Sequence, residues 1–241
     1  MQKSKIVACF GDSLTKGNFS YNWVKLLSED YEDQGLTFLN FGENGELAYN
    51  LLQRIGEVLV VKPDIVIVLV GSNDAMGSLD DKSRGFYTKQ QKLPKVPSLN
   101  FYAEYLFSLA GQLKDKTDAK IVFVTLPPLG EVFNDKANRV VGMHNDEIRQ
   151  VCESFDFDLL DLNKALVDYW IKNQDSSPYP FSNDRALVVK AAAKKYMFFR
   201  SWNQVSKGHE MILSHDGVHL NETSGGILAS LVKNYLNSLN L

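Results

Sequence analysis

The run Ile65-Val66-Ile67-Val68-Leu69-Val70 is apolar at every position and ends against Gly71-Ser72-Asn73-Asp74. A strand wetted on one side would alternate polar and apolar residues. An unbroken apolar run therefore predicts a strand buried on both faces, at the centre of a parallel sheet. Shorter strand-like runs at 6–10, 37–41, 121–125 and 158–162 are separated by longer helical patterns. Parallel strands need crossover connections, and the alternation predicts a three-layer α/β/α sandwich around a mainly parallel five-stranded sheet. The last pattern, 222–239, repeats Ile227, Leu228, Leu231, Val232, Tyr235, Leu236 and Leu239 at amphipathic helical spacing, which predicts packing on that sheet.

Open sheets of this kind form ligand sites beyond the carboxyl ends of their strands. Three short polar blocks fall there: Gly11-Asp12-Ser13-Leu14, Asn40-Phe41-Gly42-Glu43-Asn44-Gly45, and Gly71-Ser72-Asn73-Asp74. A fourth, Asp216-Gly217-Val218-His219, precedes the last helix and supplies an acid and a base. Ser13 could serve only as a helix cap. A hydroxyl at a helix N-terminus also sits beside unpaired N–H donors and a positive dipole end, which favours developing negative charge. Ser13 has no base near it in sequence, so its activation requires a distant imidazole. Of His144, His209, His215 and His219, only His219 has an acid three residues earlier. Asp216 can reach its Nδ1–H across a tight turn and leave Nε2 for Ser13. Gly45 reads as a turn residue or as an N–H with no Cβ in the way of substrate. Asn73 reads as a turn residue or as a side-chain donor to an oxyanion. Asp74 reads as a partner that holds its loop.

At these four blocks the chain resembles the SGNH/GDSL hydrolase family of esterases and lipases, in outline over residues 5–225. The resemblance implies a flavodoxin-like three-layer fold and hydrolysis of carboxylic esters through an acyl-enzyme. It implies Ser13 as nucleophile, His219 as base and Asp216 as its orienting acid. The implied oxyanion hole is the Ser13 N–H, the Gly45 N–H and the Asn73 side chain. No cofactor and no metal is implied. The same residues would serve a carbohydrate O-deacetylase or an acyltransferase, and a silent glycan- or lipid-binding module could keep the fold without the chemistry.

With 241 residues the chain suits a single domain, 1–241, carrying insertions at about 77–98 and 175–210. Both insertions should border the site, and 77–98 reads as a flap or lid rather than a domain. A formal charge of -3, from 26 Lys plus Arg against 29 Asp plus Glu, provides no basic field for nucleic acid or an anionic membrane. The expected partner is an ester substrate: a small molecule, a glycan or a lipid. No run is long enough for a membrane span. The apolar stretch at 6–10 is too short for a signal peptide, and two cysteines make no disulfide scaffold, so the expected residence is cytoplasmic, or secreted if a leader was removed. The Ser13 context lacks the Gly-x-Ser-x-Gly elbow, and Gly11 to Gly17 misses the P-loop spacing. His215 and His219 flank Asp216 at a spacing a metal could use, but neither Cys nor the other two His joins them convincingly. His144, His209 and His215 are expected to be surface or hydrogen-bonded structural residues. Phe198, Phe199 and Trp202 are expected in the core rather than in an acyl pocket.

Overall fold

The structure is a computed structural model that describes residues 4–174, 178–182 and 184–239. The charged start at 1–3 and part of the 175–210 insertion, 175–177 and 183, lie outside the described residues. Five strands, β1 (Lys5–Gly11), β2 (Leu36–Gly42), β3 (Ile65–Leu69), β4 (Lys120–Val124) and β5 (Asp158–Leu160), form one all-parallel sheet in the order β2-β1-β3-β4-β5. The apolar run makes the central strand, and each of the five residues of β3 is buried. Edge strand β2 instead mixes buried and exposed positions.

Helices α2 (Trp23–Asp30), α9 (Leu162–Asn173) and α12 (Glu222–Ser238) pack together on one face of the sheet. On the other lie α3 (Ala48–Gln53), α5 (Ser72–Ser78), α7 (Leu99–Lys116) and α8 (Lys136–Phe155), with α4 (Ile55–Val60) continuing from α3. The apolar stripe read from 222–239 is used as predicted: Leu228, Val232 and Leu236 are buried on α12. No described helix is long and apolar enough to cross a membrane.

Strand register sets the site. Gly11 pairs with Gly42 on one side and with Leu69 on the other, so the residues just beyond these three strand ends emerge side by side. Helix α1 (Ser13–Lys16) starts there, with the Asp12 carboxylate accepting the Leu14 N–H at 2.9 Å as its N-cap. Asn40 on β2 ties α1 down by donating to the carbonyls of Thr15, at 2.9 Å, and Lys16. A Cβ on Gly42 would come within 2.2 Å of the Lys16 backbone N, so glycine is required for this close approach.

Both insertions carry helices. Residues 77–98, expected to form a flap or lid, contain α6 (Asp81–Gln90), capped by Asp80, and bury Tyr87 and Leu93. These apolar anchors sit among lysines, which hide them in the sequence. The second insertion contains α10 (Arg185–Tyr196), followed by α11 (Trp202–Lys207). Trp202 is buried as expected. Phe198 and Phe199 are neither core nor cleft, being 67% and 90% exposed, because α10 ends before them and Phe199 turns the chain at φ 53°.

Candidate active site

Ser13, Gly45, Asn73, Asp216 and His219 border one open cleft of about 160 Å³ at the carboxyl edge of the sheet. Each predicted position follows a strand or precedes α12, and the crossings bring them to one place. Ser13 Oγ and His219 Nε2 are 3.0 Å apart although 206 residues separate them. His219 Nδ1 lies 2.7 Å from Asp216 Oδ2. The other carboxylate oxygen, Oδ1, accepts the backbone N–H groups of Val218 at 3.0 Å and His219 at 2.8 Å. The tight turn read from Asp216-Gly217-Val218-His219 is thus closed by the acid's own side chain.

Three clasps hold this loop over Ser13. The Leu220 N–H donates to Ser20 Oγ at 3.0 Å, and the Tyr21 N–H donates to the Leu220 carbonyl at 2.8 Å. The Gly130 N–H donates to the Gly217 carbonyl at 2.7 Å. The buried Glu131 carboxylate accepts the N–H groups of Ile212 and Leu213 and the Trp170 indole N–H at 2.7 to 3.0 Å. Glu131 is absent from the sequence reading. Its signal was available, since Pro127-Pro128-Leu129-Gly130-Glu131 follows the fourth strand at the same sheet edge as the other blocks. Phe19 was missed too; its ring centroid lies 6.2 Å from that of His219, and it lines the cleft.

The electrostatics favour a charge-stabilised imidazole. Burial works against the charged form of His219, but the Asp216 charge and hydrogen bond overcome it and hold its pKa above the ordinary value near 6.5. Burial likewise opposes the Asp216 carboxylate, yet the His219 charge and hydrogen bond, with His215 nearby, keep it far below the usual range. His215, expected at the surface or hydrogen-bonded, is buried and stacked on Trp202 with centroids 3.9 Å apart. Burial pushes its pKa down to about 4, leaving it neutral near pH 7. His144 is likewise buried, with Nδ1 2.8 Å from the Val140 carbonyl, and its pKa is pushed down to about 4. His215, Asp216 and His219 lie close enough together to hold a metal ion. The Asp216 oxygens are already shared among two backbone N–H groups and the His219 ring, so such a set would compete with the Ser13-His219-Asp216 series.

On the opposite wall, Gly45 adopts φ 76°, and a Cβ there would meet Gln91 Nε2 at 2.9 Å. The N–H groups of Ser13 and Gly45 donate to no other described residue. Asn73 Nδ2 donates to the Glu46 carbonyl at 2.9 Å and to Asp12 Oδ2 at 3.2 Å, and Asn73 Oδ1 accepts the Tyr87 hydroxyl at 2.9 Å. Burial pushes Asp12 up to about 7 and Asp74 up to about 8. Asp74 Oδ2 accepts the Ala48 N–H at 3.2 Å, which ties α5 to the start of α3. A hydroxyl hydrogen-bonded to an imidazole backed by a buried carboxylate, facing free N–H donors, can perform acyl transfer.

Known structures share this architecture. A catalytic mutant of Axe2, an acetylxylan esterase from Geobacillus stearothermophilus, is 19% identical over 97% of this chain and 94% of its own, with a TM-score of 0.65. The acetyl xylan esterase AlAXEase is 20% identical over 95% and 98%, also at 0.65. LAE5, an α/β hydrolase enzyme from the metagenome of Lake Arreo, Spain, is 18% identical over 97% and 95%, again at 0.65. No curated protein sequence gives a match. The sequence profile of the GDSL-like lipase/acylhydrolase family matches residues 9–223, nearly the whole of the chain that builds the sheet and the cleft. The chain belongs to that family and is a serine ester hydrolase.

Proposed function

We propose that the protein cleaves carboxylic esters through an acyl-enzyme on Ser13. The observation that carries this reading is the unbroken series from Ser13 Oγ to His219 Nε2 and from His219 Nδ1 to Asp216. His219 takes the Ser13 proton as Oγ attacks the ester carbonyl, then returns it to the departing alcohol. Asp216 fixes the tautomer with Nδ1 protonated and stabilises the imidazolium as it forms. The oxyanion meets the N–H groups of Ser13 and Gly45 and the Asn73 amide. Of the two Asn73 N–H bonds, the one to Asp12 is the longer, and it is the one an oxyanion would draw away. Water activated by the same imidazole then releases the acid and restores Ser13.

A second reading, O-deacetylation of a carbohydrate, is compatible with the same residues and draws on the acetylxylan esterases that share the fold. The two readings part on the alcohol: acetylated sugars set against simple acetyl, butyryl and longer esters rank them by kcat/KM. The first test is of the nucleophile. Ser13→Ala should lower kcat by several orders of magnitude and abolish labelling by a fluorophosphonate, with the melting temperature little changed. Retention of more than a few per cent of activity in a pure preparation would remove Ser13 from the role.

A further inference from the structure

We infer that Tyr87 is a positioning residue that locks the Asn73 carboxamide in the orientation an oxyanion donor needs; the inference rests on Asn73 being such a donor. A carboxamide is nearly symmetric in shape, so a half-turn about its last bond exchanges oxygen and nitrogen at almost no steric cost. At Asn73 that exchange would turn a carbonyl oxygen toward the forming oxyanion. Two acceptors, the Glu46 carbonyl and the Asp12 carboxylate, already attract the nitrogen. Tyr87 supplies the complementary tie by donating its phenol O–H to Asn73 Oδ1 at 2.9 Å. With the oxygen and the nitrogen both fixed, the amide is held in plane before substrate arrives, which is the condition for strong electrostatic stabilisation.

Tyr87 can do this because it is itself held. It is 7% exposed at the cleft wall, with Phe86 edge-on at 5.2 Å between centroids. A Cβ on Gly77 would lie 3.3 Å from its Cδ2, so the start of the 77–98 connection packs against the ring. Within the same connection lies Gln91, the C-cap of α6, whose Nε2 stands beside Gly45. One helix and its C-cap therefore abut two of the three proposed oxyanion donors. In this chain α6 acts as a buttress of the oxyanion site and not as a cover over it.

The test is a double-mutant cycle on the full chain. Tyr87→Phe removes one oxygen and keeps the ring. It should lower kcat about 10- to 100-fold, KM moving less than about twofold, since misplacing a group by a fraction of an ångström to one ångström costs on that order. The pH of the rising limb should stay put, because His219 is untouched. In an Asn73→Ala background, Tyr87→Phe should have no further effect on kcat. An unchanged kcat in Tyr87→Phe overturns the inference, as does a full additional loss in the Asn73→Ala background. If Asn73→Ala alone left kcat unchanged, the donor reading of Asn73 would fall and the inference with it, whereas Ser13→Ala would still test the nucleophile separately.

Discussion

Replacing Asp216 by Asn changes one atom and should disable the enzyme while leaving its fold in place. The reason lies in the two backbone N–H groups of Val218 and His219, which both donate to Oδ1. An asparagine at this position keeps its oxygen there, because turning the amide would place two donors against two donors. Its nitrogen must then face His219 Nδ1, 2.7 Å from the oxygen it replaces. To accept that N–H, Nδ1 gives up its proton and Nε2 takes one, so the ring presents an N–H instead of a lone pair to Ser13. Loss of the correct tautomer costs about 10⁴-fold in kcat, which is about 5.4 kcal/mol at 1.36 kcal/mol per decade. KM should change by no more than about threefold, since Asp216 stabilises the developing charge and not the bound ester. Hydrolysis of p-nitrophenyl acetate by enzyme of titrated active-site concentration measures both. A variant that kept a tenth of the wild-type kcat would show that the carboxylate does not set the tautomer, and would refute the assignment of Asp216 as the orienting acid.

Two further outcomes follow from the electrostatics and the loop contacts. Activity requires neutral His219, so kcat/KM should rise with pH through its pKa; the Asp216 charge moves that limb above about 6.5, rather than the 6 to 7 expected for an unperturbed imidazole. The same sign makes the His219-Asp216 pair contribute to stability most fully below about 6.5 and progressively less as pH rises through the raised value, which thermal melts across that range would register. A limb below 6, or one that persists in His219→Gln, would point to another base. Glu131→Ala should lower stability by about 3 kcal/mol, because it strands the N–H groups of Ile212 and Leu213 and the Trp170 indole in a buried place. Urea unfolding reads the change, and an unchanged midpoint would mean that water replaces the carboxylate.

What could be read from the amino-acid order depended on how local each cause is. The run at 65–70 announced its own burial, and the strand ends then located Ser13, Gly45 and Asn73 without any contact being known. Asp216 and His219 were legible because the acid and the base share one turn. Tyr87, Glu131 and Phe19 act across long separations, through a hydroxyl, a carboxylate and a ring whose partners no periodicity reveals. Phe198 and Phe199 misled for a related reason: aromatic residues usually lie inside, but where α10 stops decides which way they face, and its helix propensity does not mark the stop. His144 and His215 show the converse, polar rings carried into the interior by stacking and by a single backbone carbonyl.

The clasp between Ser20, Tyr21 and Leu220 joins segments that are 200 residues apart in the chain. The Ser13 hydroxyl and the His219 imidazole are 206 residues apart in sequence, so the two can meet only once the strands between them have taken their places in one sheet. A segment that stops short of His219 carries the serine without the base that would activate it. Competence is therefore a property of the assembled sheet and not of either half of the site by itself. Two fragments, one ending in a loop after β3 and one beginning there, would each be silent, and esterase activity on mixing would report that the two ends had found one another.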